Sequence, residues 1–218
     1  MHRNIKVEKL VYTTIAGKFM YEIPKIKWSR FFGTIFPVET KEEVDQNFQS
    51  MKKEFYDATH NCCAWRVGIH VHQDLFGNVF IDPKASRAND DWEPTNTAGK
   101  PILSVLEGNQ LQNVLLVVTR YFWWTLLGVG GLIQAYTQVA QETVKHVSFV
   151  QKEIFDELEV EYNYDQTSLL AYLFEKYEVK ILNENYDHSI QQKLQINRGF
   201  SGAFKEELFD KSNGSLAI

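Results

Sequence analysis

Residues 113–122 read NVLLVVTRYF, and residues 128–144 read GVGGLIQAYTQVAQETV. A run of Val and Leu that is apolar at successive positions is typical of a strand buried on both faces. The second stretch begins with three glycines and then repeats apolar residues at helical spacing, which indicates a helix with one broad buried face. A buried strand followed by an amphipathic helix predicts a mixed fold in which helices pack on a sheet.

The chain on the N-terminal side of this pair predicts mostly strands. Gly17 separates two of them, which indicates a hairpin. Thr40 with Glu43 is a capping box, and the apolar residues after it recur at helical spacing. Thr97 stands where the N-cap of a second helix is expected. The predicted elements are strands at 7–15, 19–27 and 31–38, a helix at 41–56, a strand pair beginning at 62–72 around a loop at 76–78, a polar loop at 85–96, and a helix at 98–106.

The pattern changes beyond residue 145. A strand at 157–164, a helix at 166–177, a hairpin of 179–186 with 189–197 and a helix from Ser201 follow in turn. This βαββα order is typical of a ferredoxin-like domain, which a short strand at 216–218 would complete. Residues 144–218 hold 8 Lys and Arg against 13 Asp and Glu, whereas residues 1–143 hold 15 of each. The sequence therefore predicts an α+β protein with domains at 1–143 and 147–218.

Composition excludes several classes of protein. The chain has 218 residues, 44% of them hydrophobic, which is unlike a disordered chain. Its longest apolar run, at 114–118, is far shorter than the roughly 20 residues of a membrane span. Residues 1–19 lack the pattern of a secretory signal, so we expect a cytoplasmic protein. Cys62 and Cys63 are adjacent and are expected to be reduced thiols.

Three polar segments, at 57–62, 90–101 and 120–131, each lie at the end of a predicted element. Such loops are where binding groups usually concentrate, so we expect them to converge on one cleft. The candidate cleft residues are His60, Cys62, Asp90, Asp91 and Glu93. The candidate anion-binding or nucleic-acid-binding residues are Arg66, Thr97, Lys100, Arg120, Tyr121, Gly128, Gly130 and Gly131.

Each candidate has a structural alternative. The glycines before the helix can hold a phosphate on free N–H groups, or can simply permit a tight turn. The acidic residues at 90–93 can bind a hard cation, or can cap the helix that follows them. Lys100 and Arg120 can contact an anion, or can form salt bridges within the fold. No sequence pattern calls for a metal or another cofactor, and none is expected.

Taken together, the three polar segments at 57–62, 90–101 and 120–131 closely resemble the YigZ/IMPACT family. The resemblance covers residues 20–140 by motif, and the βαββα tail resembles the second domain of bacterial members. It implies a first domain like domain 2 of ribosomal protein S5 and a second domain like the last domain of elongation factor G. Eukaryotic members regulate translation through a partner protein that they bind with an extra N-terminal domain.

The resemblance therefore implies a translation-associated, non-catalytic protein that binds RNA, the ribosome or a translation partner. Two alternatives stay open. One is a metal-dependent hydrolase or phosphoryl-directed enzyme that uses Asp90, Asp91 and Glu93. The other is a protein-interaction module that uses exposed Trp123 and Trp124. The oligomeric state is not decided by the sequence.

The sequence departs from the family pattern at three tryptophans. Relatives usually have glycine where Trp92, Trp123 and Trp124 stand here. Genuine tryptophans would close or reshape the cleft. The alternative is that these codons are UGA, which some bacteria read as glycine; Trp28 and Trp65 are further candidates.

Overall fold

The computed structural model describes residues 8–75 and 79–216. The chain divides into two compact units, one formed by residues 12–151 and the other by residues 8–11 with 152–216. The helices are α1 (Lys41–Glu54), α2 (Gly99–Gly108), α3 (Gly128–His146), α4 (Thr167–Lys176) and α5 (Arg198–Lys211). The strands are β1 (Val11–Ile15), β2 (Phe19–Glu22), β3 (Arg30–Pro37), β4 (His60–Val67), β5 (His70–Gln73), β6 (Val79–Asp82), β7 (Ala85–Asn89), β8 (Val114–Tyr121), β9 (Phe149–Glu153), β10 (Phe155–Tyr162), β11 (Lys180–Tyr186) and β12 (Ile190–Asn197).

The first unit is built on an antiparallel sheet in the order β2-β3-β8-β4-β7. Strand β8 lies at its centre, and successive side chains alternate between the two faces. Leu116 and Val118 join the core that contains α2 and α3. Leu115 and Val117 join the core on the opposite face, with Met51 of α1. The predicted run of buried residues in β8 is therefore explained by helices on both faces.

The second unit has an antiparallel sheet in the order β10-β12-β11. Its core joins α4 and α5 to this sheet through residues such as Leu170, Phe204 and Leu194. The strand β12 therefore lies between two strands that the helix α4 connects, as the βαββα pattern predicts. The two-domain α+β class is confirmed.

Two local predictions were wrong. The predicted hairpin around Gly17 does not form, because β1 pairs with β9 and β2 pairs with β3. The backbone of β1 is also bonded to other segments, since Thr13 O accepts from Gln112 N. Residues 85–89, predicted as loop, form the edge strand β7. Because all its side chains are exposed, the sequence of β7 shows no alternation of apolar and polar residues.

Other elements differ at their ends. The strand predicted from residue 62 begins at His60 and ends at Val67, and Gly68, with a φ of +71°, separates it from β5. The predicted loop at 76–78 lies outside the described residues, as do positions 217 and 218 of the predicted last strand. Leu216 is buried but does not form part of a strand. Among the helices of residues 8–75 and 79–216, none is long and apolar enough to cross a membrane.

The packing of α3 on β3 requires a glycine at position 33. A Cβ atom there would overlap Thr143 Oγ1 and approach Val139 Cγ1, two groups of α3. We expect Gly33→Ala to lower the free energy of unfolding by about 1–3 kcal/mol, the usual cost of overpacking a core. The measurement is a urea titration of the full chain.

Gly108→Ala is the matched control, because a Cβ at the end of α2 meets nothing within 4 Å. We expect it to leave the stability unchanged or to raise it by up to about 1 kcal/mol. Equal losses for the two variants would contradict the close approach of α3 to the sheet.

Candidate binding cleft at one end of the sheet

A buried ion pair lies at the end of the central strands. Arg120, near the end of β8, donates from Nη1 to Glu93 Oε1 at 2.5 Å. Tyr136 of α3 donates its hydroxyl to the same carboxylate oxygen at 2.8 Å. Glu93 thus joins the loop at 90–97 to both the sheet and α3. Because a buried charge is costly without partners, this carboxylate needs both donors.

His60 and Cys62 line the same end of the sheet from β4. His60 is paired with Arg120 across the two strands, and its Nε2 lies 3.7 Å from Glu93 Oε1. Its Nδ1 lies 2.8 Å from the carbonyl oxygen of Asp91. The Cys62 thiol donates to the carbonyl oxygen of Asp90 at 3.0 Å. The predicted convergence of these loops is therefore present at this end of the sheet.

Asp90 caps α2. Its Oδ1 accepts from the backbone N–H groups of Ala98 and Gly99 at 3.0 and 2.8 Å, and its Oδ2 accepts from Asn96 N at 2.9 Å. Thr97, predicted as the N-cap, instead donates its hydroxyl to Pro94 O. A carboxylate can accept several N–H bonds where a hydroxyl accepts fewer, which explains the exchange. The N–H groups of Ala98 and Gly99, at the start of α2, are thereby used within the protein.

The other two carboxylates have separate partners. Asp91 Oδ1 accepts from Lys52 Nζ at 3.0 Å, and its Oδ2 accepts from Asn61 N at 2.7 Å. Glu93 is occupied by Arg120 and Tyr136 as described above. Within residues 8–75 and 79–216, no group of three or more His, Cys, Asp or Glu residues is placed to hold a metal ion.

A cavity of about 290 Å³ opens beside the ion pair. Its walls come from β4, the loop at 93–94, the end of β8 and the start of α3. No side chain caps α3 in the described part of the chain, and Gly128 begins this helix with a φ of +72°. We call this space the α3 cleft. It is lined by His60, Glu93, Pro94, Arg120, Phe122, Leu126, Leu127, Gly128, Val129 and Leu132.

Arg120 is held tightly in the wall of the α3 cleft. Only 4% of it is exposed, and its guanidinium lies 5.6 Å from the ring of Phe31 and 5.0 Å from that of Phe122. Its Nε is buried and has no hydrogen-bond partner in the described residues. One donor of this buried side chain is therefore unsatisfied within the described residues.

Nine of the predicted site residues do not line the α3 cleft. Cys62, Asp90, Asp91 and Thr97 make the contacts described above, and Gly130 and Gly131 lie in the first turn of α3. The other three lie elsewhere in the first unit. Arg66 is buried beside the end of α2, where Nη1 contacts Leu106 O at 3.4 Å and burial lowers its pKa. Lys100 is exposed on α2. Tyr121 lies on the other face of β8, half-exposed, and donates to Asp57 Oδ1 at 2.7 Å. Arg66 and Tyr121 therefore serve contacts within the fold.

Tyr136 belongs to the candidate site but is not among the residues predicted from the sequence. Its spacing places it on the apolar face of α3, and it is fully buried. Burial raises the pKa of Tyr136 far above its ordinary value, and the nearby Cys62 and Glu93 raise it further. The phenol therefore stays protonated and can donate to Glu93. The signal was a tyrosine among aliphatic residues, since a buried hydroxyl needs a partner.

The fold and this cleft define a class of two-domain α+β proteins whose first domain carries a glycine-led helix beside a buried Arg–Glu pair. Residues 27–144 match the Impact N-terminal domain, and residues 160–215 match a domain of unknown function, DUF1949. The chain belongs to the IMPACT family, as the sequence motifs predicted.

Relatives of similar length support this assignment. The IMPACT family member YvyE of Bacillus subtilis is 30% identical over 95% of this chain and 89% of its own length. An IMPACT family member of Haemophilus influenzae is 34% identical over 89% of each chain. A crystal structure of a hypothetical protein is 28% identical, with a TM-score of 0.65 over 95% of this chain and 97% of that one.

The ion pair generates a stability prediction. Glu93→Ala leaves Arg120 buried without its carboxylate, so we expect the free energy of unfolding to fall by about 3–5 kcal/mol. The double variant Glu93→Leu with Arg120→Met removes both charges and should recover much of that loss. Urea titrations of the three proteins measure this. A double variant as unstable as Glu93→Ala would show that the pair is not the source of the loss.

The two cysteines generate a second prediction. Burial raises the pKa of Cys63 to about 12 and that of Cys62 further. Because thiolates are the reactive form, we expect neither thiol to react with iodoacetamide at pH 8 until the chain unfolds, as mass spectrometry can measure. Above pH 9 the unfolded chain loses protons that the folded chain keeps, so stability should fall as the pH rises.

Cys63→Ala is the control for this pH dependence. It removes one titrating group, so its stability should fall less steeply above pH 9 than that of the unaltered chain. Identical slopes for the two proteins, or rapid alkylation of the folded chain, would contradict a buried protonated thiol.

Proposed function

We propose that this chain is a translation-associated binding protein without catalysis, and that the α3 cleft holds a phosphate group of an RNA. The translational role rests on membership of the IMPACT family. The RNA contact rests on one observation above all: the N-terminus of α3, which has no side-chain cap, lines a cavity that Arg120 also lines. A helix N-terminus with free N–H groups favours an anion.

The other helices clarify why α3 is the candidate. The N-termini of α1, α2 and α5 are capped by Thr40, Asp90 and Asn197. Gly130 has open space around the position of a Cβ, so an incoming group can approach the first turn of α3. The helix α4 also begins without a side-chain cap, but it continues from a 3-10 turn at 164–166 that Asn163 caps. The end of α3 is thus uncapped where three other helices each have a side-chain cap.

Aromatic residues at the end of β8, on the face of the sheet opposite the α3 cleft, offer a surface for bases. Tyr121 and Trp123 stack with ring centroids 5.9 Å apart and an interplanar angle of 15°. Trp123 is 41% exposed, so one face is available for stacking. Single-stranded nucleic acids bind to such aromatic platforms without strong sequence preference. An RNA strand that crosses the end of β8 would use both features.

Electrostatics limit the strength of this contact. The Arg120 charge is balanced by Glu93, and that of Lys52 is balanced by Asp91. The net charge of the chain is −5. We therefore expect only one or two phosphate contacts. For a single-stranded RNA, a plot of the logarithm of the binding constant against the logarithm of the salt concentration should then have a slope of about −0.7 to −1.4.

The test places a negative charge at the first turn of α3. Gly130→Asp fits the open space there and should stabilise the helix while it competes with an incoming phosphate. We expect the affinity for a fluorescent single-stranded RNA to fall about tenfold or more, measured by anisotropy at several salt concentrations. The folded state should be at least as stable as before.

Gly130→Ala is the matched control because it adds the same Cβ without the charge. It should bind the RNA nearly as well as the unaltered chain. Equal binding by all three proteins would contradict the α3 cleft as the phosphate site. No RNA binding by the unaltered chain, alone or in co-sedimentation with ribosomes, would contradict the RNA-binding function itself.

A further inference from the structure

Four of the five tryptophans fall into two groups. Trp65 is 8% exposed in β4 and packs in the core with α1. Trp28, Trp92 and Trp124 are 72%, 95% and 92% exposed, and their φ values are +70°, +69° and +63°. These values lie in the left-handed region, where a Cβ atom clashes with the backbone. Within residues 8–75 and 79–216, the glycines with positive φ are at 68, 128 and 214, and they have nearly the same values, from +71° to +76°.

Two of these tryptophans occupy the same position of the same kind of turn. Ile26 and Ser29 exchange both backbone hydrogen bonds around Lys27 and Trp28, which both have positive φ. Two central residues of positive φ define a type I′ turn, in which glycine is strongly preferred at the second of them.

The loop of the α3 cleft contains the second such turn. Glu93 N donates to Asp90 O at 2.9 Å, and the two residues between them, Asp91 and Trp92, both have positive φ. Asp followed by Gly is among the sequences most typical of this turn. Trp92 again stands at the glycine position.

The third tryptophan is at the centre of a tighter turn. Thr125 N donates to Trp123 O at 2.7 Å, which closes a three-residue turn around Trp124. A three-residue turn whose central residue has positive φ is rare and strained for residues with a Cβ. Trp123 itself does not have positive φ, so its conformation makes no such demand.

Nothing compensates for the strain at these positions. Asparagine and aspartate, which make up several of the other residues with positive φ, have short side chains that can bond locally. Within residues 8–75 and 79–216, the indoles of Trp28, Trp92 and Trp124 have no hydrogen bond or ring contact. Each of these tryptophans therefore has a strained backbone conformation, and the little burial of its side chain does not offset that strain.

We infer that positions 28, 92 and 124 are glycine in the protein as its own cell makes it, encoded by UGA codons that the host reads as glycine. UGA differs by one base both from the tryptophan codon UGG and from the glycine codon GGA. Where UGA is translated as tryptophan, a bulky residue stands at these turns. Trp65, in the core, is a genuine tryptophan. This inference does not depend on RNA binding.

The direct test is the mass of the chain purified from its native host, with peptide mapping of the three turns. We expect the mass to fall below that of the written sequence by the difference between a tryptophan and a glycine residue at each position. A mass equal to that of the written sequence, or UGG codons in the gene, would overturn the inference.

The preference for glycine at these turns is tested on the chain that has tryptophan at all three positions. Trp28→Gly, Trp92→Gly and Trp124→Gly should each raise Tm by about 2–4 °C, because glycine adopts positive φ without strain. The matching alanine variants remove the indole but keep a Cβ, so they should not raise Tm in this way. Trp65→Gly should lower Tm. Equal Tm values for the glycine and alanine variants would overturn the argument from φ.

Discussion

The buried contact between Arg120 and Glu93 is the constraint on which the first domain depends. Arg120 belongs to the central strand, whereas Glu93 belongs to a loop, and the pair is almost wholly removed from water. Because either charge alone would be costly there, the loop must stay folded against the sheet. Tyr136 adds a donor from α3, so the same carboxylate also fixes the helix. The position of the α3 cleft follows from this one contact.

Sequence reasoning placed the segments with strong periodicity and failed where pairing depends on distant backbone. The helix α1 was predicted from Thr40 and the spacing of Val44 to Met51, and Thr40 does accept from Glu43 N. The edge strand β7 gave no such signal, since all its side chains are exposed. The false hairpin at Gly17 had the right strands but the wrong partners, which local sequence does not specify.

The site shows the same division. His60, Glu93 and Arg120 were expected to lie together, because each belongs to a polar segment at the end of a predicted element. The assignment of Asp90 as the cap of α2, and the burial of Arg66, depend on how the loop folds back on the helix. Tyr136 could have been found by asking which partner a buried phenol would use. Sequence alone named four of the residues that line the cleft, but not the apolar residues beside them, nor the hydrogen-bond partners within the site.

The turn at 90–93 contains both Glu93 of the ion pair and residue 92, whose φ is positive. The turn reverses the chain between Asp90, which caps α2, and Glu93, which binds Arg120. Both central residues must have positive φ for these two carboxylates to point to their partners. Residue 92 contributes no side-chain contact to that arrangement, so its role is entirely in its backbone. Glycine satisfies this role without strain, and the geometry of the cleft is therefore that of a glycine turn whichever residue occupies it.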